Sequence, residues 1–346
     1  MSVTLIDVAK KANVSKSTVS LVINNVPSVK EETRQRVLEA IEELGYVPNF
    51  NARGLMTRRT NSLGVLFISQ TNTTESNFDF NCETEIYPND ILAGIPDGLT
   101  NTDYGLVIER YSVCDGVDCP LPKMISQRRV DGVIVIYGVY SAELEKKIRD
   151  SGIPAVAVGG SPLACDSVSA DFEQSVYIAT EKLISVGLKK MCYVNCPPFY
   201  SSNQRRRNGF WRAIQNNNLC AEDQCVIDTE WNTGKGGYEA IKSLFATGYK
   251  PDGIVTAHDG IALGVMRYLY ENGIRIPDDV SIISIENSVL AGYATPALSS
   301  VDVNKRELGK KACEMLLRRV EEPTMPKVEL MTTPTVINRD SVRSGG

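Results

Sequence analysis

The sequence predicts a small all-α helix-turn-helix headpiece followed by an α/β core that forms two doubly wound parallel-sheet lobes. Three observations support this fold class. The first sixty residues contain short helical patterns with clear start and stop signals. From residue 62 onward, short runs of β-branched residues alternate with amphipathic stretches, which is typical of a parallel sheet covered on both faces. A chain of 346 residues is also long enough to bury more than one core.

The predicted helices of the first segment begin at capping residues. Thr4 followed by Asp7 has the spacing of a capping box, and Asn13 tolerates the left-handed conformation that ends a helix. Ser15 can cap the second helix, and Gly45 provides a stop for the third. The predicted helices therefore span about 5–12, 16–24 and 28–44.

The strands of the core are predicted from continuous apolar runs. Eight such runs are present, and they would crowd a single sheet, so two similar lobes fit better. The predicted strands are 63–69, 105–109, 131–137, 155–160, 191–195, 225–230, 253–257 and 281–286. The stretch 70–90 is long, polar and unpatterned, which indicates either a functional loop or an insertion without regular structure.

The charge distribution favours a nucleic-acid-binding arm on an acidic body. Residues 1–60 hold nine basic and six acidic residues, whereas the remainder holds 28 basic and 36 acidic residues. The sequence contains neither a secretory signal nor an apolar run long enough to span a membrane, so a cytoplasmic protein is expected. The nine cysteines lack zinc-knuckle spacing, and only His258 could assist them, so we predict no metal and no cofactor.

The second predicted helix has one apolar face and one polar face. Val19 and Val22 can pack against the first helix, which leaves the opposite side of the second helix for the major groove of DNA. The alternative interpretation is that this face is simply exposed to water on a small helical bundle and does not contact DNA. The residues on the outward face are Lys16, Ser17, Ser20, Leu21 and Asn24.

Several spaced motifs together resemble the headpiece of the lac repressor family, from Thr4 to about Leu66. These motifs are Asp7-Val8-Ala9, Val14-Ser15, Thr18-Val19-Ser20, Asn24, Thr33-Arg34, Leu44-Gly45-Tyr46, Pro48-Asn49 and Ala52-Arg53-Gly54-Leu55. The resemblance implies base readers at Lys16, Ser17 and Leu21. Leu21 departs from the polar reader that family members often carry, and an apolar side chain can contact only a thymine methyl group or a sugar. Further DNA contacts are implied for Thr4, Ser15, Ser20, Asn24, Asn49, Ala52, Arg53 and Leu55.

The segment after the headpiece resembles the family's hinge helix. We therefore expect a headpiece over residues 1–48 and a hinge with its linker over residues 49–61. The hinge is too short to be stable alone, because helix nucleation is costly. The resemblance implies that two copies of the hinge order over the operator's minor groove, where Leu55 wedges between base pairs.

The remainder resembles the family's effector-binding core, which is similar to periplasmic sugar-binding proteins. The motifs are Asp131-Gly132-Val133, Gly152-Ile153-Pro154, Arg206-x-x-Gly209-Phe210, His258-Asp259-x-x-Ala262-Leu263-Gly264, Ile276-Pro277-Asp278-Asp279-Val280 and Thr295-Pro296-Ala297-Leu298. The family's chain order implies crossings between lobes near 161–163, 290–293 and 322–328. The expected first lobe is therefore 62–161 with 291–322, and the expected second lobe is 162–290 with 323–342.

Candidate effector contacts follow from the same resemblance. Arg206 matches the arginine that anchors the effector in many members, and a guanidinium suits a carboxylate, a phosphate or paired hydroxyls. Trp231 could stack on a sugar ring, although a lone tryptophan often belongs to the core. Glu286 and Asp171 could accept hydrogen bonds from ligand hydroxyls, but Asp171 could instead cap the next helix.

Two further candidates complete the predicted effector site. His258 occupies a position that is usually Asn, so it is expected to line the pocket rather than act as a catalytic base. Tyr87 lies in the unpatterned stretch, where members place contacts from the first lobe. The ligand itself is not specified by any of these residues.

The resemblance implies a sequence-specific transcription regulator, expected to be a repressor and not an enzyme. Its expected partners are double-stranded operator DNA, a second copy of itself and a small effector such as a carbohydrate. Two alternatives stay open: a cytoplasmic sugar-binding protein without a regulatory role, and a sugar-processing enzyme with a DNA-binding tail.

Overall fold

The computed structural model describes residues 3–23, 26–46, 59–70, 86–113, 119–137, 142–159, 165–198 and 200–344. The chain forms two compact units, residues 1–60 and residues 61–346.

The first unit contains three helices whose ends match most of the predicted signals. They are α1 (Leu5–Lys11), α2 (Lys16–Ile23) and α3 (Glu31–Leu44). The predicted start of the third helix at residue 28 is wrong, because Lys30 holds the N-cap position and the helix begins at Glu31. The Asp7 carboxylate accepts hydrogen bonds from the Thr4 backbone N–H at 2.9 Å and the Thr4 hydroxyl at 2.7 Å. Ser15 Oγ accepts the Thr18 N–H at 3.1 Å, which confirms the predicted cap of α2. Asn13 and Gly45 adopt positive φ where α1 and α3 end.

The three helices enclose a small apolar core. Val8, Val19 and Val37 are fully buried, one from each helix, and Ala9, Ala12, Val22 and Ala40 fill the space between them. The predicted packing of the first two helices is confirmed. The fully buried members of this core are valine and alanine side chains, and their burial leaves the opposite face of α2 exposed.

The second unit is an α/β structure with two six-stranded sheets. The first sheet has the order β11-β5-β4-β3-β1-β2, and every pairing in it is parallel. Its strands are β1 (Ser62–Gln70), β2 (Gly105–Val113), β3 (Gly132–Tyr137), β4 (Ala155–Val158), β5 (Asp166–Ala170) and β11 (Glu329–Thr332). The described helices between or beside these strands are the helical segment 86–92, α4 (Ile95–Gly98), α5 (Lys123–Ser126) and α6 (Ala142–Asp150).

The second sheet has the order β12-β10-β9-β8-β6-β7, and only the edge strand β12 runs antiparallel to its neighbour. Its strands are β6 (Met191–Asn195), β7 (Cys225–Asp228), β8 (Gly253–Thr256), β9 (Ser281–Ile285), β10 (Ser299–Asp302) and β12 (Thr335–Ile337). The α-helices of this part of the chain are α7 (Phe172–Ser185), α8 (Asn203–Asn216), α9 (Gly234–Ala246), α10 (Asp259–Glu271), α11 (Val289–Tyr293) and α12 (Lys305–Glu321). All eight predicted strands are present, and the two-lobed α/β fold class is confirmed.

The chain crosses between the sheets later than the expected positions near 161–163, 290–293 and 322–328. Strand β5 still pairs in the first sheet, whereas α7 packs on the second, so the first crossing lies at Asp171. Strand β10 belongs to the second sheet, and α12 packs on β3, β4 and β5, so the second crossing lies at 303–304. The third lies between β11 and β12. Strands β5 and β10 are rich in serine and aspartate, so their sequences lack the apolar run that reveals a buried strand.

Within the described ranges, no helix is both long and apolar enough to cross a membrane. The cysteine, histidine and acidic side chains of these same ranges form no group of three that could hold a metal ion.

Candidate nucleic-acid interface and effector cleft

The outward face of α2 is the candidate nucleic-acid interface. Lys16, Ser17 and Leu21 are all exposed on this face. The Leu21 side chain is apolar, yet 39% of its surface is accessible to solvent. On the opposite side, Val19 and Val22 are buried in the helical core. A helix held in this way can enter the major groove with its first residues toward the base edges. The structure therefore brings the three predicted base readers together on one face.

Other predicted DNA contacts are found at helix starts or lie outside the described residues. Thr4 and Ser15 are exposed at the starts of α1 and α2, where phosphate groups can approach free backbone N–H donors. Ser20 is half-buried on α2. The contacts predicted for Asn24, Asn49, Ala52, Arg53 and Leu55 lie outside the described residues.

The candidate effector residues gather at the carboxyl ends of the strands, where open α/β sheets bind ligands. Glu286 directly follows β9, His258 follows β8, and Trp231 follows β7. Arg206 lies on α8, and Tyr87 comes from the helical segment 86–92 of the first lobe.

Arg206 forms the centre of this cluster. It is 5% exposed, its guanidinium donates to the carbonyl of Ala257 and, at 3.3 Å, to the hydroxyl of Ser202. The guanidinium carbon lies 3.8 Å from the ring centroid of Phe172, a cation–π arrangement. These partners are neutral, and a guanidinium has five N–H donors, so Arg206 has further donors for a ligand.

Tyr87 reaches the same cluster from the first lobe. Its ring lies 6.3 Å from the Phe172 ring, and its buried hydroxyl meets no hydrogen-bond partner among the described residues. Burial raises the pKa of the Tyr87 hydroxyl, the nearby charge of Glu286 raises it further, and Arg206 acts in the opposite direction. Tyr87, Arg206 and Glu286 therefore lie close together.

Glu286 has a carboxyl group that is easily protonated. Burial raises its pKa from 4.5 to about 7, and the positive charges of Lys305 and Arg206 offset part of that rise. The negative charges of Asp259 and Asp90 act with burial. The backbone of Glu286 has φ +102°, a strained conformation for a residue with a side chain. Strained backbone conformations of this kind are concentrated at ligand-binding and active sites.

His258 caps helix α10 and remains neutral. Its Nδ1 accepts the backbone N–H groups of Gly260 at 3.1 Å and Ile261 at 3.4 Å. Burial lowers its pKa from 6.5 to about 3, and the charge of Arg206 lowers it further. A side chain that stays neutral and is fixed at Nδ1 is poorly suited to act as a general base near neutral pH.

Of the two remaining candidates, Trp231 lies at the cleft and Asp171 caps a helix. Trp231 is half-buried at the cleft edge, and the ammonium group of Lys235 lies 4.3 Å from its ring centroid. Asp171 accepts the backbone N–H of Gln174 at 3.0 Å, so it caps α7. The capping alternative for Asp171 is therefore what the structure supports.

Three residues of the cleft were not predicted from the sequence. Phe172 connects Tyr87 to Arg206, Lys305 is 6% exposed beside Asp90 at 2.7 Å, and Asn232 follows Trp231 with a buried side-chain oxygen. Phe172 and Asn232 carry no sequence signal of their own. Lys305 could have been found as the residue that begins the helix after the second crossing.

Comparisons with known proteins agree with this architecture. A family model described as bacterial regulatory proteins, lacI family, matches residues 4–49, and a periplasmic binding protein-like domain matches residues 180–342. Catabolite control protein A from Priestia megaterium is 30% identical over 328 residues, which cover 94% of this chain and 95% of that protein. The chain belongs to the lacI family of bacterial regulatory proteins.

Other members of the family support the same assignment. The HTH-type transcriptional repressor PurR from Vibrio campbellii is 29% identical over 343 residues and covers 98% of both chains. Among solved structures, a lac repressor dimer bound to operator and an anti-inducer superposes with a TM-score of 0.79 at 22% identity, covering 99% of this chain and all of that one. A complex of the regulator CelR with cellobiose has a TM-score of 0.68 at 25% identity and covers 98% of this chain and 99% of that one. This lacI-family chain thus shares its fold with these two structures.

Proposed function

We propose that this protein is a sequence-specific repressor that binds operator DNA as a homodimer and is controlled by a small effector bound between the two lobes. The proposal depends on two features that occur together in this chain. One is the exposed face of α2 with Lys16, Ser17 and Leu21. The other is a cleft in which Arg206 and Tyr87 keep buried polar groups for a ligand.

The proposed DNA contacts divide into base reading and positioning. Lys16 donates to the acceptors of a guanine, and Leu21 contacts a thymine methyl group or is neutral. The helix starts at Thr4 and Ser15 fix the register by contacting phosphates. The hinge helix expected over residues 49–55 pairs with its copy across the minor groove, where Leu55 wedges between base pairs.

The proposed effector is a carbohydrate or a related polar metabolite. Arg206 and the Tyr87 hydroxyl supply donors, Glu286 supplies an acceptor, and Trp231 offers an aromatic edge for a sugar ring. Two relatives of known structure are described with bound sugars, cellobiose in CelR and ribose in a regulator from Enterococcus faecium. The effector changes operator affinity only if it binds one arrangement of the lobes more tightly than the other.

Two other functions fit the fold less well. A sugar-binding protein without a regulatory role would have no use for the exposed base-reading face of α2. A sugar-processing enzyme would need a catalytic base, and His258 is unsuited to that role because burial keeps it neutral and its Nδ1 caps a helix. Glu286, whose pKa burial raises to about 7, is then the remaining candidate, and Glu286→Ala would have to abolish turnover.

Selection of genomic DNA fragments by the purified protein tests the proposal directly. We expect enrichment of a pseudo-palindromic sequence, and the binding constant should fall steeply as salt increases because phosphate contacts release counterions. Lys16→Ala should weaken operator binding about tenfold or more, since a base contact contributes about 1–3 kcal/mol. Lys189→Ala, which removes an exposed charge in the second unit, serves as the matched control. Recovery of no preferred sequence, or equal loss in both variants, would contradict the proposal.

A further inference from the structure

Two cysteine side chains lie next to each other at the edge of the second sheet. Cys192 of β6 and Cys225 of β7 are directly paired in the parallel register, so their side chains project from the same face of the sheet. Neighbouring strands are about 4.7–4.9 Å apart, and a disulfide joins residues whose Cα atoms are about 4.4–6.8 Å apart. Both thiols are free. The backbone therefore holds the two cysteines at a spacing that a disulfide can bridge.

Hydrogen bonds beside the pair fix this register. The side-chain oxygen of Gln224, which precedes the cysteine of β7, accepts the backbone N–H of Met191, which precedes the cysteine of β6, at 2.9 Å. The Tyr249 hydroxyl lies 2.9 Å from the carbonyl oxygen of Met191 and 2.7 Å from that of Asp223. The two thiols are consequently held together before any reaction, and such proximity favours a reaction between them over one between separate chains.

The two thiols differ in exposure. Cys192 is fully buried in β6, whereas Cys225 is half-buried on β7, which is the edge strand of the sheet. A small solute such as hydrogen peroxide can therefore reach the sulfur of Cys225 from solvent, while the sulfur of Cys192 lies behind it.

The buried thiol activates the accessible one. The Cys192 S–H donates a hydrogen bond to the Cys225 sulfur, which lowers the pKa of Cys225 to about 7 although burial acts in the opposite direction. Burial raises the pKa of Cys192 well above its ordinary value. At pH 7 about half of Cys225 is then thiolate, the form that reacts with oxidants, whereas an ordinary thiol with a pKa of about 8.5 is only about 3% ionised. Oxidation is therefore expected to begin at Cys225.

We propose that Cys192 and Cys225 form a redox-sensitive pair, which a peroxide converts into a disulfide between β6 and β7. The Cys225 thiolate attacks one oxygen of hydrogen peroxide, so an S–O bond forms, the O–O bond breaks and the leaving hydroxide takes up a proton to become water. The Cys192 thiol then gives up its proton and attacks the Cys225 sulfur, so the S–S bond forms and the S–O bond breaks with release of a second water. Two thiols are oxidised, and one peroxide is reduced to two waters.

The pair lies apart from the proposed effector site. Both cysteines lie near the amino ends of β6 and β7, whereas the effector cluster lies at the carboxyl ends of the strands. The disulfide ties the edge strand β7, whose carboxyl end leads to Trp231 at the cleft, to the interior strand β6. Its formation can thus be measured without knowledge of the effector.

Peptide mapping of the peroxide-treated, full-length protein tests the proposal. The reduced protein is treated with hydrogen peroxide at pH 7, the remaining thiols are blocked with N-ethylmaleimide in denaturant, and the digest is examined by mass spectrometry without reduction. We expect a peptide that links Cys192 to Cys225 and that disappears after treatment with dithiothreitol. The matched control is Cys220→Ser, which removes a nearby exposed thiol and should leave the yield of the linked peptide unchanged.

Two further variants separate the roles of the two thiols. Cys225→Ala should leave Cys192 reduced, because peroxide does not reach the buried thiol directly. Cys192→Ala should form no disulfide and should instead accumulate the sulfenic acid of Cys225, which is trapped by dimedone and detected by its added mass.

Four results would overturn the proposal. The first is the absence of the linked peptide in wild-type protein whose exposed Cys220 has been oxidised, and the second is a link from Cys225 to a different cysteine. The third is loss of the linked peptide in Cys220→Ser, and the fourth is oxidation of Cys192 in Cys225→Ala to the same extent as in the wild type. If Cys192→Ala does not fold, the maps of the wild type and of Cys225→Ala still decide the question.

Discussion

Protonation of Glu286 should make the stability of residues 61–346 depend on pH. The pKa of this carboxyl rises from 4.5 to about 7 in the folded protein, mainly because the group is buried. The folded chain therefore binds the proton more tightly than the unfolded chain. This contribution to stability is fully present below pH 4.5 and is lost as the pH rises through about 7.

The size of the effect follows from the two pKa values. A difference from 4.5 to about 7 corresponds to about 3 kcal/mol in total, of which about 2.5 kcal/mol is lost between pH 5 and pH 8. His258 acts in the opposite direction, because its pKa is lowered to about 3 and its stabilising effect is lost as the pH falls below 6.5. Comparison of the wild type with Glu286→Gln cancels the contribution of His258 and isolates that of Glu286.

Urea unfolding followed by tryptophan fluorescence measures this difference. Both tryptophans, Trp211 and Trp231, lie in the second unit, so the signal reports on residues 61–346 alone. The free energy of unfolding of the wild type relative to Glu286→Gln should fall by about 2.5 kcal/mol from pH 5 to pH 8. The change should persist at high salt because burial is its main cause. A difference that stays constant with pH would refute the reasoning.

Three further substitutions test other parts of the structure. Gly209→Ala would place a methyl carbon 2.1 Å from the carbonyl oxygen of Glu173 and push α7 away from α8. The free energy of unfolding of the second unit, measured with urea, should therefore fall by about 2 kcal/mol. The control Gly292→Ala, which has open space around it, should leave that free energy unchanged. Asp171→Ala removes the cap of α7 and should cost about 1 kcal/mol in the same assay, without a comparable loss of effector affinity in calorimetry. Val19→Ala removes two buried methyl groups from the first unit and should cost it about 2 kcal/mol. Operator binding of that variant should fail at a lower temperature, with the tryptophan signal unchanged.

Much of the fold could be predicted because local signals and packing agree. The capping pair Thr4 and Asp7 and the stop at Gly45 predicted helix ends that the structure contains. The apolar runs predicted eight strands correctly. Strands β5, β10, β11 and β12 were not recognised. In β5 and β10, serine and aspartate side chains are buried by the surrounding structure without an apolar pattern, and β11 and β12 have only four and three residues. The positions of the lobe crossings depended on these four strands and were therefore displaced.

The candidate site could be predicted only in part. The structure brings Arg206, His258, Glu286 and Tyr87 together, as the family resemblance implied. Phe172 and Asn232 were not predicted, because their places in the cleft depend on segments that are distant in the chain and meet only after folding.

Operator affinity with and without effector tests the central claim, that occupation of the cleft controls DNA binding. The measurement is fluorescence anisotropy of labelled operator DNA, titrated with the wild type and with Arg206→Met, in the absence and presence of a sugar that raises the unfolding temperature. The account predicts a change in operator affinity of about fivefold or more for the wild type, in the range typical of coupling between sites. It predicts no change for Arg206→Met, which should still bind the operator. Unchanged wild-type affinity at saturating sugar, or an equal change in both proteins, would contradict the account.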